Sequence, residues 1–133
     1  AGKVGRFSDV KKIYVRKSLS VPVERCIYPL SAYSRRGEGF EKKFMEETLD
    51  KSAEVEAFGK IQQRKHLLNI SYRDKDGIKR DYFPDFIIKT KDKLYIVETK
   101  AENEMQNAEG NEKNLIVLKA RAAVSWCKTA SQV

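Results

Sequence analysis

A chain of 133 residues, 41% apolar and 10% aromatic, is long enough to bury a single core without disulfide or metal staples. Its 35% charged residues are too well mixed with apolar ones for a disordered chain, and 27 Lys plus Arg against 19 Asp plus Glu leave +8, which favours a polyanionic partner, most simply nucleic acid. Two distant cysteines, Cys26 and Cys127, and one histidine, His66, argue against a zinc site, and no apolar run approaches the ~20 residues of a membrane span.

In chain order, residues 1–37 read as a basic extension with short edge strands at Lys12 to Arg16 and around Val21 to Tyr28. Pro22 and Pro29 hold the second to an edge or an extended segment. Ser31 to Gly39, with Arg35 and Arg36, reads as a loop leading to a helix from about Glu38 to Lys51. On that helix Glu41, Phe44, Met45, Thr48 and Leu49 follow the i, i+3, i+4, i+7, i+8 pattern. Glu41 either complements the helix dipole in the first turn or faces a sheet as a buried acid, and periodicity leaves both open. Glu46, Glu47 and Asp50 fall at or off the margin, as solvated charges should.

Ala53 to Ile61 reads as the end of the helix and a short strand, and His66 as an ordinary strand-entry residue. Three strands, about 67–73, 79–89 and 93–100, make a meander, with Asp76-Gly77 a strong hairpin turn signal. Residues 101–111 have no periodicity and read as a mobile loop. A second helix is expected from Glu112 to Lys128, with Leu115, Lys119, Ala122 and Trp126 on one face and Ile116, Ala123 and Cys127 beside it. Lys119 either snorkels from that face or holds a cation toward the site. With no signal peptide visible, the chain reads as soluble and cytoplasmic, its cysteines small buried hydrophobes in a reducing cytosol.

The chemistry concentrates between Asp81 and Lys100. Asp85 follows Pro84 on one strand, and Glu98-Thr99-Lys100 closes the next, across a short polar turn. An ionised carboxylate in an apolar strand is costly without a partner or a purpose. Oxygen ligands of this kind suit Mg²⁺, with Mn²⁺ as a substitute. A nearby lysine can position water and offset negative charge developing on a phosphate.

Pro84-Asp85 followed by Glu98-Thr99-Lys100 resembles the motif of the PD-(D/E)XK nuclease superfamily. The order helix, three-strand antiparallel meander, helix resembles that superfamily's restriction-endonuclease-like α/β core over residues 38–133, which here ends before a further strand. A narrower resemblance, to the carboxy-terminal endonuclease region of type III restriction enzyme Res subunits, runs through Tyr14 to Leu30, Gly39 to Met45, Val55 to Phe58, Tyr82 to Phe86, Ile96 to Ala101, and Lys119 to Cys127. It implies a Mg²⁺-dependent endonuclease acting on double-stranded DNA behind a helicase motor and beside a methyltransferase subunit. It implies Asp85, Glu98, the Thr99 carbonyl and Glu41 as metal ligands, Lys100 as the water-positioning lysine, and more weight for Lys119. No GxxxxGK[ST] phosphate loop is present. The alternative is a non-catalytic module with the same fold that binds DNA or docks on a motor.

Overall fold

β-Branched and aromatic runs supply the strands, and the Glu41-to-Leu49 stripe supplies the first helix. The computed structural model describes residues 6–35, 39–66, 68–100, 102–108, 110–111 and 114–132. Its elements begin with β1 (Ser20–Pro22), β2 (Leu30–Ala32) and α1 (Glu41–Lys43), which continues as a π-helical stretch over Phe44–Leu49. Next come β3 (Val55–Lys60), β4 (Ile70–Arg73), β5 (Lys79–Tyr82), β6 (Phe86–Thr90) and β7 (Leu94–Val97). Two helices follow, α2 (Glu102–Ala108) and α3 (Leu115–Ala130). The chain packs as two compact units, Ala1–Leu67 with Asp85–Thr99, and Leu68–Pro84 with Lys100–Val133.

The first unit holds an antiparallel sheet in the order β3-β6-β7, a three-strand meander in an α/β frame. The meander is the expected one in form, but its first strand is β3, not the segment near 67–73. Pro84 is the reason. It has no N–H to give a ladder, so the run expected over 79–89 breaks at Phe83-Pro84 into β5 and β6. β5 pairs with β4 around the Asp76-Gly77 turn, where Gly77 sits at φ +78 and the Asp74 carboxylate accepts from the N–H groups of Asp76 and Ile78. The free edge of β3 meets the amino-terminal segment: Ile27 N–H donates to the Phe58 carbonyl and Phe58 N–H to that of Arg25. Lys12 to Arg16 forms no strand, and the sheet pairing of Val21 to Tyr28 reduces to β1 and the Cys26 bridge.

Phe86 and Phe58 are buried with Met45, Leu49, Val21 and Val23. The Phe86 ring meets Phe44 and Phe58 edge-on at centroid distances of 5.3 and 6.4 Å. Along α1 and its π-helical continuation Glu41, Met45 and Leu49 are buried while Thr48 is exposed. The expected stripe holds at Glu41, Met45 and Leu49, with Phe44 half-buried; the wider π-helical winding carries the i+7 position, Thr48, off that face. Gly59 is needed for a close approach, since a Cβ there would meet the Phe7 ring at 3.2 Å.

Asp50, expected to be a solvated charge, instead ties the helix end to the amino-terminal segment. Its Oδ1 accepts from the backbone N–H groups of Glu24 and Arg25 at 2.9 and 2.8 Å. Asp50→Ala should therefore destabilise the protein by about 1–2 kcal/mol in urea unfolding, where a merely solvated carboxylate would leave the midpoint unchanged.

His66 is buried rather than a plain strand-entry residue. Its Nδ1 accepts from Gln62 N–H at 2.9 Å, so a neutral ring carries its proton on Nε2, 3.2 Å from the Tyr28 hydroxyl. That hydroxyl donates in turn to the Val10 carbonyl at 2.7 Å, and Phe7 stacks on the imidazole at 4.2 Å. Burial lowers the imidazole pKa below its ordinary 6.5. The unfolded chain then binds a proton that the folded one refuses. Stability is complete above about pH 6.5 and falls as pH drops below it toward the lowered value. Thermal melts from pH 7.5 to 5.5 should show this loss in the wild type and a flatter profile in His66→Asn.

In the second unit residues 102–108 are helical, not a loop. Glu102, Glu104, Met105 and Gln106 are good helix formers, Ala108 is buried, and Gly110 follows at φ +72. The Asn114 side chain caps α3 by accepting from Ile116 N–H at 2.8 Å. α3 packs against β4, and the face turned inward runs through Ile116, Lys119, Ala123 and Cys127. Leu115 and Trp126, expected on the inner stripe, are exposed. Arg36 and Glu38 lie outside the described residues.

Candidate active site

The register carries the two halves of the motif to one end of the sheet. Lys60 pairs with Phe86, and Phe86 with Val97, making the last full row of β3, β6 and β7. One residue further, Asp85 N–H donates to the Val97 carbonyl at 3.1 Å and Ile61 N–H donates to the Asp85 carbonyl at 2.9 Å. Asp85 and Glu98 thus stand just beyond the strands rather than inside them, where Pro84 on one side and the end of β7 on the other stop the regular pairing.

Asp85 and Thr99 are joined directly. The Thr99 N–H and hydroxyl both donate to Asp85 Oδ2, at 2.9 and 3.1 Å. Thr99 thus orients the Asp85 carboxylate through one of its two oxygens. Glu98 and Lys100 flank Thr99 in sequence and are half-buried, and neither is without a partner.

Glu41 is turned inward. Only 10% of its side chain is exposed, and its Oε2 lies 3.0 Å from the Lys60 ammonium, itself 14% exposed. Ser34 N–H donates to the same oxygen at 3.3 Å. Glu41 therefore faces the sheet rather than serving as a surface complement to the helix dipole. Lys60 also lies 5.2 Å from the centroid of the Phe86 ring. Sequence reasoning missed Lys60. Its signal was an isolated lysine closing Val55 to Lys60, a strand that Glu56 and Gly59 disguise.

Lys119, half-buried on α3, places its ammonium 5.6 Å from the centroid of the Tyr82 ring, within its own unit. Cys26 is half-buried against the core, and burial raises its thiol pKa, as suits a small apolar residue.

The donors fit a hard divalent cation in kind, because carboxylates and a backbone carbonyl are the oxygen ligands Mg²⁺ prefers. Their placement is partial: Glu41 is engaged by Lys60, and among the described residues no group of three or more His, Cys, Asp or Glu side chains is gathered to hold a metal. Among the described residues no helix is long and apolar enough to cross a membrane.

The family profile described as TnsA-like endonuclease N terminal matches residues 58–131, more than half of the 133. The matched stretch contains Lys60, Asp85, Glu98, Thr99, Lys100 and Lys119, and begins after Glu41. No curated protein and no solved structure matches the chain.

Proposed function

The chain belongs to the family of TnsA-like endonuclease N-terminal domains, and from that premise we propose that residues 38–133 form a metal-dependent nuclease that hydrolyses double-stranded DNA. The observation that carries the reading is the Asp85–Thr99 clasp, which holds the two halves of the motif together at one end of β6 and β7. Asp85 and Glu98, with the Thr99 carbonyl and Glu41, would hold Mg²⁺, for which Mn²⁺ substitutes. Bound there, the ion would act as a Lewis acid on a phosphate oxygen and lower the pKa of a water.

The remaining steps fall to the chain itself. Thr99 fixes the Asp85 carboxylate in one orientation. Lys100, next along the backbone, positions the attacking water and offsets negative charge on the phosphate. Attack in line on phosphorus expels the 3′ oxygen and leaves a 5′ phosphate. Lys119 is the candidate for a further cation near the scissile phosphate. Arg35, Arg36, Lys42 and Lys43 would contact phosphates without reading sequence, Arg36 lying outside the described residues.

A helicase motor upstream, a methyltransferase or specificity subunit, a place in restriction–modification and a cytoplasmic location rest on the type III resemblance alone. The family profile that matches is a different one. Nicking of supercoiled plasmid by the purified domain, with Mg²⁺ or Mn²⁺ and with EDTA, tests the reading. Metal-dependent nicking supports it; DNA binding with neither metal binding nor nicking would leave the non-catalytic module.

A further inference from the structure

We propose that the outer face of the β4–β5 ribbon, through Arg73 and Lys79, binds the phosphate backbone of double-stranded DNA. This rests on the DNA substrate put forward above, but not on the metal. Alternate residues of the two-stranded ribbon face opposite sides. Ile70 and Tyr82 are paired and buried on the side where α3 packs and the Lys119 ammonium lies over the Tyr82 ring. The other side carries Ser71, Arg73, Lys79 and Asp81, all four exposed.

On that outer side Arg73 stands directly opposite Lys79 in the register. Like charges in facing positions repel and weaken a ribbon. The neighbouring acids are engaged elsewhere. Asp81 accepts from the Ser71 hydroxyl at 2.7 Å, and Asp74 holds Arg80 at 3.0 Å and two N–H groups of the turn. Among the described residues no acid pairs with Arg73 or Lys79. Arg73 gives one N–H to the Gly77 carbonyl at 2.9 Å, and a guanidinium has four more. Ser71, Tyr72, Arg73 and Lys79 line an open hollow of about 220 Å³. A phosphate there would accept from both cations and remove their repulsion, and a chain of net charge +8 favours the polyanion that carries it. Backbone contacts of this kind position a duplex without reading its sequence. The facing cations thus cost the free ribbon stability that bound DNA restores.

Fluorescence anisotropy of a labelled DNA duplex, in EDTA across a salt series, tests this with the wild type, Lys79→Gln, Lys79→Glu and Lys51→Gln. Lys51, exposed beyond the first helix in the other unit, controls for net charge. Lys79→Gln should reduce the slope of log affinity against log salt by about 1. Lys79→Glu should weaken binding about 10-fold or more at low salt, yet raise the Tm by about 2 °C or more as an ion pair with Arg73 replaces the repulsion. Lys51→Gln should match the wild type in affinity and slope. Wild-type affinity in both Lys79 variants, or equal losses in the Lys79 and Lys51 variants, overturns the ribbon contact. Metal-dependent nicking by the same proteins then shows whether the nuclease reading stands without it. Affinity and Tm falling together in Lys79→Glu, with the salt slope of Lys79→Gln unchanged, would mark a structural lysine and also overturn the contact. A wild type that binds no duplex at low salt overturns both the contact and the DNA substrate.

Discussion

Asp85→Ala is expected to cut metal-dependent plasmid nicking by about 10²- to 10³-fold or to below detection. The variant removes the carboxylate that Thr99 orients, and with it the oxygen proposed to hold the metal. It should not remove the fold. The bonds that continue the sheet at this point, Asp85 N–H to Val97 and Ile61 N–H to Asp85, are backbone bonds and survive the substitution. The cost in stability should be about 1–3 kcal/mol, for the half-buried Thr99 N–H left without its acceptor. Lys100→Ala provides the contrast: a lysine that positions water is not a ligand, so nicking should fall while Mn²⁺ affinity holds. Initial nicking rates beside urea unfolding curves separate loss of chemistry from loss of structure.

The second large effect is on stability. Lys60→Met strands a carboxylate that is 90% covered, and Glu41→Gln strands the ammonium. Breaking one side of a buried pair costs about 3–5 kcal/mol; with both side chains retaining some solvent contact, about 3 kcal/mol is expected here. Replacing both leaves no unpaired charge. The double variant should be destabilised by much less than the sum, with a coupling of about 2 kcal/mol or more in a urea-unfolding cycle run in EDTA. Additive losses would mean that the pair contributes as two independent surface charges, contrary to the burial of Glu41.

The α/β meander and its motif were legible because they depend on local chemistry. Pro84-Asp85, the aliphatic run of β6, the polar turn and Glu98-Thr99-Lys100 specify two adjacent strands whatever surrounds them. The fold class followed from the alternation of helix, strands and helix. What was not legible depended on pairing at a distance. A strand of only six residues, carrying Glu56, Gly59 and Lys60, shows no clear apolar alternation, so Ala53 to Ile61 reads as a helix end and a short strand outside the meander, and the β4–β5 hairpin reads as part of the sheet. Pro84 contained the correction, since a residue without an N–H ends a ladder. The Glu41–Lys60 pair joins residues nineteen positions apart on different elements, and no periodicity reports such a contact. Asp50 was misread for the same reason: its acceptor role depends on backbone groups 25 and 26 residues earlier.

The central claim is that a divalent metal binds at Asp85 and drives phosphodiester hydrolysis. Calorimetric titration of Mn²⁺ into the wild-type domain and into Asp85→Ala addresses it most directly. The account predicts saturable binding by the wild type and its loss in the variant. Wild-type protein that takes up no Mn²⁺, or an Asp85→Ala variant that binds it as well as wild type, would contradict the account.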